Sequence, residues 1–203
     1  MNDDKEKIIE FATQKFMNGG FYRTTIDQIA AEMHVSKKTI YRNFSSKEEL
    51  IREIANRFLL KNSKLVDEAL GTKGNAVLKL FKIFETVGEI MLKMNFDVIK
   101  DIHHYAPDIW REIDDFRTKK MTSFLTSIIS QGQKEGYFVK KKPEIIVTLF
   151  IASIRAVVNP TFIINNRFTM LEALKETIEL IIYGITTDKG KKEFNKLNHG
   201  VIQ

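Results

Sequence analysis

The chain has 203 residues, 43% of them hydrophobic, and its 32 Lys and Arg against 26 Asp and Glu give a formal charge of +6. That is enough apolar material for one or two domains with a real core, and it excludes a mainly disordered chain. The absence of cysteine excludes disulfides, zinc thiolate sites and cysteine nucleophiles, while the positive balance is compatible with a polyanionic partner.

Helical periodicity dominates from the start. Asp3 to Asn18 reads as a first helix, with acidic residues in its opening turn and Ile8, Phe11, Ala12 and Phe16 on one face. Gly19-Gly20 ends it, and Phe21 and Tyr22 read as plugs for the core beneath. Thr24 followed by Asp27 is a capping-box start for a second helix, whose inward stripe is Ile26, Ile29, Ala30 and Met33. His34-Val35 breaks the pattern. Ser36 can cap a third helix in which Ile40 and Phe44 face inward, leaving Lys38 and Arg42 on the opposite face and Lys37, Thr39 and Tyr41 at its flanks. Two short helices joined by a tight turn and presenting cations, hydroxyls and a phenol suit the major groove of DNA.

These residues carry a family resemblance. TT-x-x-x-IA from Thr24, V-S-x-x-T-x-Y-x-x-F from Val35 and S-K-E-E-L from Ser46 resemble the DNA-binding domain of the TetR (tetracycline-repressor) family of bacterial transcriptional regulators. The turn departs from the family pattern, with His34 where glycine is usual; histidine is among the non-glycine residues that tolerate the left-handed region. The resemblance implies an all-α chain with a three-helix helix–turn–helix DNA-binding domain, residues 1–46, and a larger ligand-sensing and dimerisation domain, residues 47–203. It further implies a homodimer that binds a near-palindromic double-stranded DNA operator, acts as a repressor, and is released by a small-molecule effector. Thr25, Ser36, Lys37, Lys38, Thr39, Tyr41, Arg42 and Lys47 are carried over as the DNA-contact surface. Thr25, Ser36, Tyr41 and Lys47 fall to phosphates, and Lys38 and Arg42 to base edges, which long donors reach best.

Further along, Ser46 and Glu49 form another capping box and open a long helix through Leu50, Ile54, Phe58 and Leu65 to Leu70-Gly71. Asn75 to Met94 has a broad apolar face, and Phe96 to His104 is short and closed by Pro107. Asp108 can start a helix running to the turn at Gly132 to Gly136, and Pro143 can open the next. Ile145 to Val158 is apolar on nearly all sides, and Leu171, Leu174, Ile178, Ile181 and Ile185 follow at 3-4 spacing. In the family the last two helices form the dimer interface, which assigns it here to Ile151, Ile154, Val158 and the Leu171 to Ile185 seam; the alternative is that both helices are simply core. After Thr187 the polar, Lys-rich chain reads as a frayed tail, bringing the expected total to about nine helices.

The middle helices hold bulky soft residues. Phe84, Met91, Met94, His104, Tyr105, Trp110 and Phe124 can line an apolar ligand pocket or fill a core. Arg155, alone in an apolar helix, can pair with a carboxylate across the dimer or hold an anionic ligand. His103 and His104 point about 100° apart on a helix, so they and Asp101 or Asp108 make a poor metal set. No cofactor, metal or enzymatic constellation is expected, and the competing reading is a helical protein–protein interaction module without DNA binding. Met1 to Lys7 is charged, Ile8-Ile9 is too short for a signal sequence, and no run of roughly 18 apolar residues occurs, so a cytoplasmic location is expected.

Overall fold

The computed structural model describes residues 2–198. Among them are eleven helices: α1 Asn2–Gly19, α2 Ile26–Glu32, α3 Lys37–Asn43, α4 Lys47–Leu70, α5 Ala76–Leu92, α6 Phe96–Tyr105, α7 Pro107–Glu135, α8 Pro143–Val157, α9 Pro160–Asn166, α10 Met170–Ile185 and α11 Asp188–Asn198. The all-α expectation holds, with two more helices than the periodicity suggested. No single helix among the described residues is long and apolar enough to cross a membrane.

The helices fall into two compact units that do not follow the boundary at residue 46. The first holds the chain up to Lys61 together with Met94–Asp115, and the second holds Asn62–Lys93 and the chain from Phe116 onward. Hence α6 and the opening of α7 pack with the helix–turn–helix, although some fifty residues separate them from it in sequence.

The core of the first unit is continuous. Ile8, Ala12 and Phe16 of α1, Ile29 of α2, Ile40 and Phe44 around α3, Leu50 and Ile51 of α4, and Val98, Ile102 and Ile109 from the returning segment are all buried in it. Gly20, at φ +80, ends α1, and its N–H donates to the Phe16 carbonyl at 2.9 Å. The cap of α2 lies one residue later than expected. Thr24 is buried and its hydroxyl donates to the Gly20 carbonyl at 2.9 Å, so Thr25 is the N-cap and Gln28, not Asp27, reaches back to its N–H. Asp27 is thereby left to pair with Lys37 at 2.6 Å. At the start of α4 Ser46 accepts from the Glu49 N–H at 3.1 Å as expected, but the Glu49 carboxylate bonds the N–H and hydroxyl of Ser45.

His34 occupies the left-handed region at φ 56. Because a Cβ there crowds the following carbonyl, His34→Gly is expected to raise stability by about 1 kcal/mol. Urea unfolding monitored by helicity checks this, and an unchanged midpoint would mean the turn carries no strain.

Arg57 forks onto both carboxylate oxygens of Glu6 and its Nε donates to Glu53 at 2.8 Å. The guanidinium holds the Glu6 carboxyl below its ordinary value of 4.5, chiefly through the hydrogen bond. A lowered folded-state pKa contributes stability that is present above the unfolded value and is lost as pH falls. Melting temperatures of wild type and Glu6→Gln should therefore differ at neutral pH and converge below about pH 4. A constant gap from neutral pH to pH 3 would remove this pair from the acid response.

In the second unit α8 packs along α10, and α5 meets both α10 and α11. Phe84 of α5 stacks on Phe150 of α8 with centroids 5.7 Å apart. Two elements were not anticipated. Asn159 caps α9, its side chain accepting from the Phe162 N–H, with Pro160 in the first turn and Arg167 closing the helix at φ 60. The segment read as a frayed tail forms α11, because its lysines conceal one apolar anchor: Phe194 is buried and meets the ring of Phe81 edge-on at 6.2 Å. The turn before α11 is zipped to the 137–139 segment, with the Val139 N–H donating to the Ile185 carbonyl at 2.8 Å and the Thr187 N–H to the Tyr137 carbonyl at 2.9 Å. Gly190 is required at this contact, since a Cβ would lie 2.2 Å from the Tyr137 carbonyl oxygen.

Candidate nucleic-acid interface

The candidate interface is the exposed side of α3. Its buried side is set by Ile40, at 0% exposure, and by Phe44, whose extended backbone (φ −141) terminates the helix while its N–H donates to the Ile40 carbonyl. With these two positions turned inward, the 100° step between residues puts Lys38, Tyr41 and Arg42 outward, and all three are exposed. Ser36 caps the helix: its Oγ accepts from the Thr39 N–H at 3.1 Å and lies 2.9 Å from the Thr39 hydroxyl. Thr25, capping α2, is also exposed.

The cations differ in availability. Lys37 is exposed but already paired with Asp27. Neither Lys38 nor Arg42 forms an ion pair with another described residue. Lys47, assigned to a phosphate by the resemblance, is partly buried. Its amine donates to the Tyr22 carbonyl at 3.2 Å and sits 4.3 Å from the centroid of the Phe21 ring. Desolvation pushes its pKa down, with Glu48 and Asp101 pulling the other way.

Nor does the overall basic balance belong to this unit. It carries 13 Lys and Arg against 15 Asp and Glu, whereas the second unit carries 19 against 11. The positive potential offered by α3 is therefore local, made by placing Lys37, Lys38 and Arg42 on one short helix.

The residues expected to line an apolar pocket are divided between the two units. Met94, His104, Tyr105 and Trp110 belong to the first unit, and Phe84, Met91, Phe124 and Arg155 to the second. His104 and Tyr105 are exposed and meet edge to face at 4.6 Å, while Trp110 packs on the first unit's core with His103 against it at 4.9 Å. Met91 and Phe124 are buried, and Arg155 is exposed, so its charge carries none of the burial cost expected for it in an apolar helix.

The residues assigned to the dimer interface differ in their exposure within the single chain. Ile151, Ile154, Val158, Leu174 and Ile178 are buried within the single chain, and Leu171, Ile181 and Ile185 are partly so. A 3-4 seam marks close packing with some helix, and for much of the α10 seam that helix is α8 of the same chain. The outward apolar residues are others: Ile145 and Leu149 of α8, and Leu180 (76% exposed) and Tyr183 of α10.

The family profile of bacterial regulatory proteins, tetR family, matches residues 8–54, spanning most of α1, all of α2 and α3, and the start of α4. The HTH-type transcriptional regulator YhgD of Bacillus subtilis is 31% identical over 162 residues, covering 75% of this chain and 83% of the relative. The chain belongs to the TetR family. A second relative, the HTH-type transcriptional regulator YvaF of the same organism, is 22% identical over 91% of this chain and 97% of its own length. Among solved structures, a transcriptional regulator from Saccharomonospora viridis in complex with choline shares the fold. Its TM-score is 0.70 at 18% identity, over 92% of this chain and all of that one. This TetR-family chain is thus a transcriptional regulator with a helix–turn–helix DNA-binding domain.

What sequence reasoning missed at the interface lies in α6. Asp101, weighed only as a neighbour of two histidines, accepts the Tyr22 N–H, and Tyr105, weighed as a pocket residue, stacks on the Tyr22 ring. No local pattern could reveal either contact, because the partners are 79 and 83 positions apart.

Proposed function

We propose that this TetR-family regulator is a repressor that binds a near-palindromic operator as a homodimer, and that a small molecule held in the second unit releases it. The carrying observation is the outward face of α3, where Lys38 and Arg42 stand exposed without ion pairs among the described residues while Ile40 and Phe44 are locked inward. Lys38 and Arg42 take base edges in this reading, with Tyr41, Thr39, Ser36 and Thr25 on the backbone and Lys37 adding charge. Two copies are invoked because a two-fold related pair of α3 helices reads successive major grooves. Support for the covered face comes from Ile145, Leu149, Leu180 and Tyr183, apolar residues exposed along two neighbouring helices. Phe84, Met91 and Phe124 supply apolar surface for an effector, and the choline complex of a relative of the same fold supports small-molecule binding. An enzymatic role has no part in this reading.

Selection of bound fragments from sheared host DNA tests it directly. The expected result is recovery of a short inverted repeat, bound with a steep salt dependence by a species that sediments as a dimer. Recovery of fragments with no shared sequence, or binding by a monomer to a single half-site, would overturn it.

A further inference from the structure

Tyr22 is held by both polar atoms of its backbone. Its N–H donates to Asp101 Oδ2 of α6 at 2.9 Å, and its carbonyl accepts from the Lys47 amine of α4 at 3.2 Å. Gly20 leaves room for this approach, because a Cβ there would lie 2.9 Å from the same Asp101 oxygen. Four residues past Asp101, and so on the same side of α6, Tyr105 stacks on the Tyr22 ring with centroids 3.9 Å apart and planes at 18°. Six residues before it, Asn95 Nδ2 donates to the Met17 carbonyl at 2.6 Å. Along its length α6 thus grips residues 17–22, while Val98 and Ile102 anchor it in the core shared with α2 and α3.

The gripped turn leads straight into the reading head. Thr24 is tied to the Gly20 carbonyl, Thr25 caps α2, and α2 packs on α3. Any shift of the Tyr22 peptide therefore moves the start of α2 and the helix that presents Lys38 and Arg42.

We propose that Asp101 and Lys47 are positioning residues for DNA recognition, clamping the Tyr22 peptide from opposite sides so that the helix–turn–helix is held in its reading pose before DNA arrives. One of the three N–H donors of the Lys47 amine goes to the Tyr22 carbonyl. The inference rests on the DNA-binding reading above, and it places a determinant of affinity in α6, outside the segment that matches the family profile.

The test uses the full chain and a fluorescent duplex that wild type selects from a random-sequence pool. Asp101→Asn and Asp101→Ala remove the same charge, but only the asparagine keeps an acceptor for the Tyr22 N–H. Asp101→Ala is expected to bind about tenfold more weakly than Asp101→Asn, the loss corresponding to one hydrogen bond's contribution to the pose. Its Tyr22 amide should also exchange faster with solvent, while its melting temperature stays close to that of the asparagine variant. Lys47→Ala should likewise speed exchange of the Tyr22 amide and weaken binding. Equal affinity of the two Asp101 variants would overturn the proposal, as would unfolding of Asp101→Ala at assay temperature. So would a Tyr22 amide that exchanges at the wild-type rate in Lys47→Ala. If wild type selects no duplex at all, the DNA-binding reading itself fails; the Tyr22 amide exchange would still report separately whether the clamp exists.

Discussion

Replacing Phe44 by alanine is expected to destabilise the first unit by about 3–5 kcal/mol and to abolish DNA binding at temperatures where wild type binds. Phe44 is 2% exposed and sits where α3 ends, with the Lys5 amine 5.4 Å from its ring centroid on one side and the shared core on the other. Its removal leaves a ring-sized void among residues drawn from four or more helices, and a void bounded by several rigid helices relaxes poorly. Domain stabilities are only about 5–15 kcal/mol, so a loss of this size brings the unit close to unfolding. Urea denaturation followed by helicity, with Tyr41→Ala as an exposed control expected to shift by less than about 0.5 kcal/mol, measures the difference. A Phe44→Ala loss below about 1 kcal/mol would show that Phe44 does not anchor α3 in the shared core.

Arg42→Ala should leave stability unchanged and cost about 1–3 kcal/mol of operator binding, with relaxed preference at a single base pair of each half-site. Arg42 is exposed in the last turn of α3, on the side opposite Ile40 and Phe44. With no carboxylate to surrender among the described residues, its guanidinium can engage a guanine edge through two donors without first breaking an ion pair. Lys37 is the informative contrast. It must give up Asp27 at 2.6 Å before it can approach a phosphate, so Lys37→Ala is expected to have the smaller effect, uniform across sequences. Competition binding against a panel of half-site variants separates the two behaviours. An Arg42→Ala protein that keeps wild-type affinity and preference would strike Arg42 from the base-reading set.

The charge distribution bears on how such a head finds DNA. With more acidic than basic residues in the first unit, non-specific attraction from that unit as a whole is weak, and Lys37, Lys38 and Arg42 concentrate positive charge on α3. Acidic residues of α6 and early α7, among them Asp97, Asp108, Asp114 and Asp115, account for the deficit. The net charge of the whole chain therefore says little about the charge of the first unit.

What the residues determined alone was everything carried by neighbours within a few positions. The helical class, the inward turn of Ile40 and Phe44, the Ser36 cap and the boundaries of the long helices all follow from i, i+3 and i+4 spacing and from caps that close within four residues. Even local reading slipped where two candidates stood side by side: the cap fell to Thr25 because burial and the Gly20 carbonyl claimed Thr24. Folding alone decided which segments return to which core. Periodicity tells that a helix has an apolar stripe but not what covers it, so the α10 seam found α8 of its own chain, and α11 formed around the single buried Phe194. For the same reason α6, read as a pocket wall, lies against the helix–turn–helix, where Asp101 and Tyr105 meet Tyr22 across about eighty residues of chain. Such contacts depend on the path of the backbone in space, which no spacing of residues along the chain encodes locally.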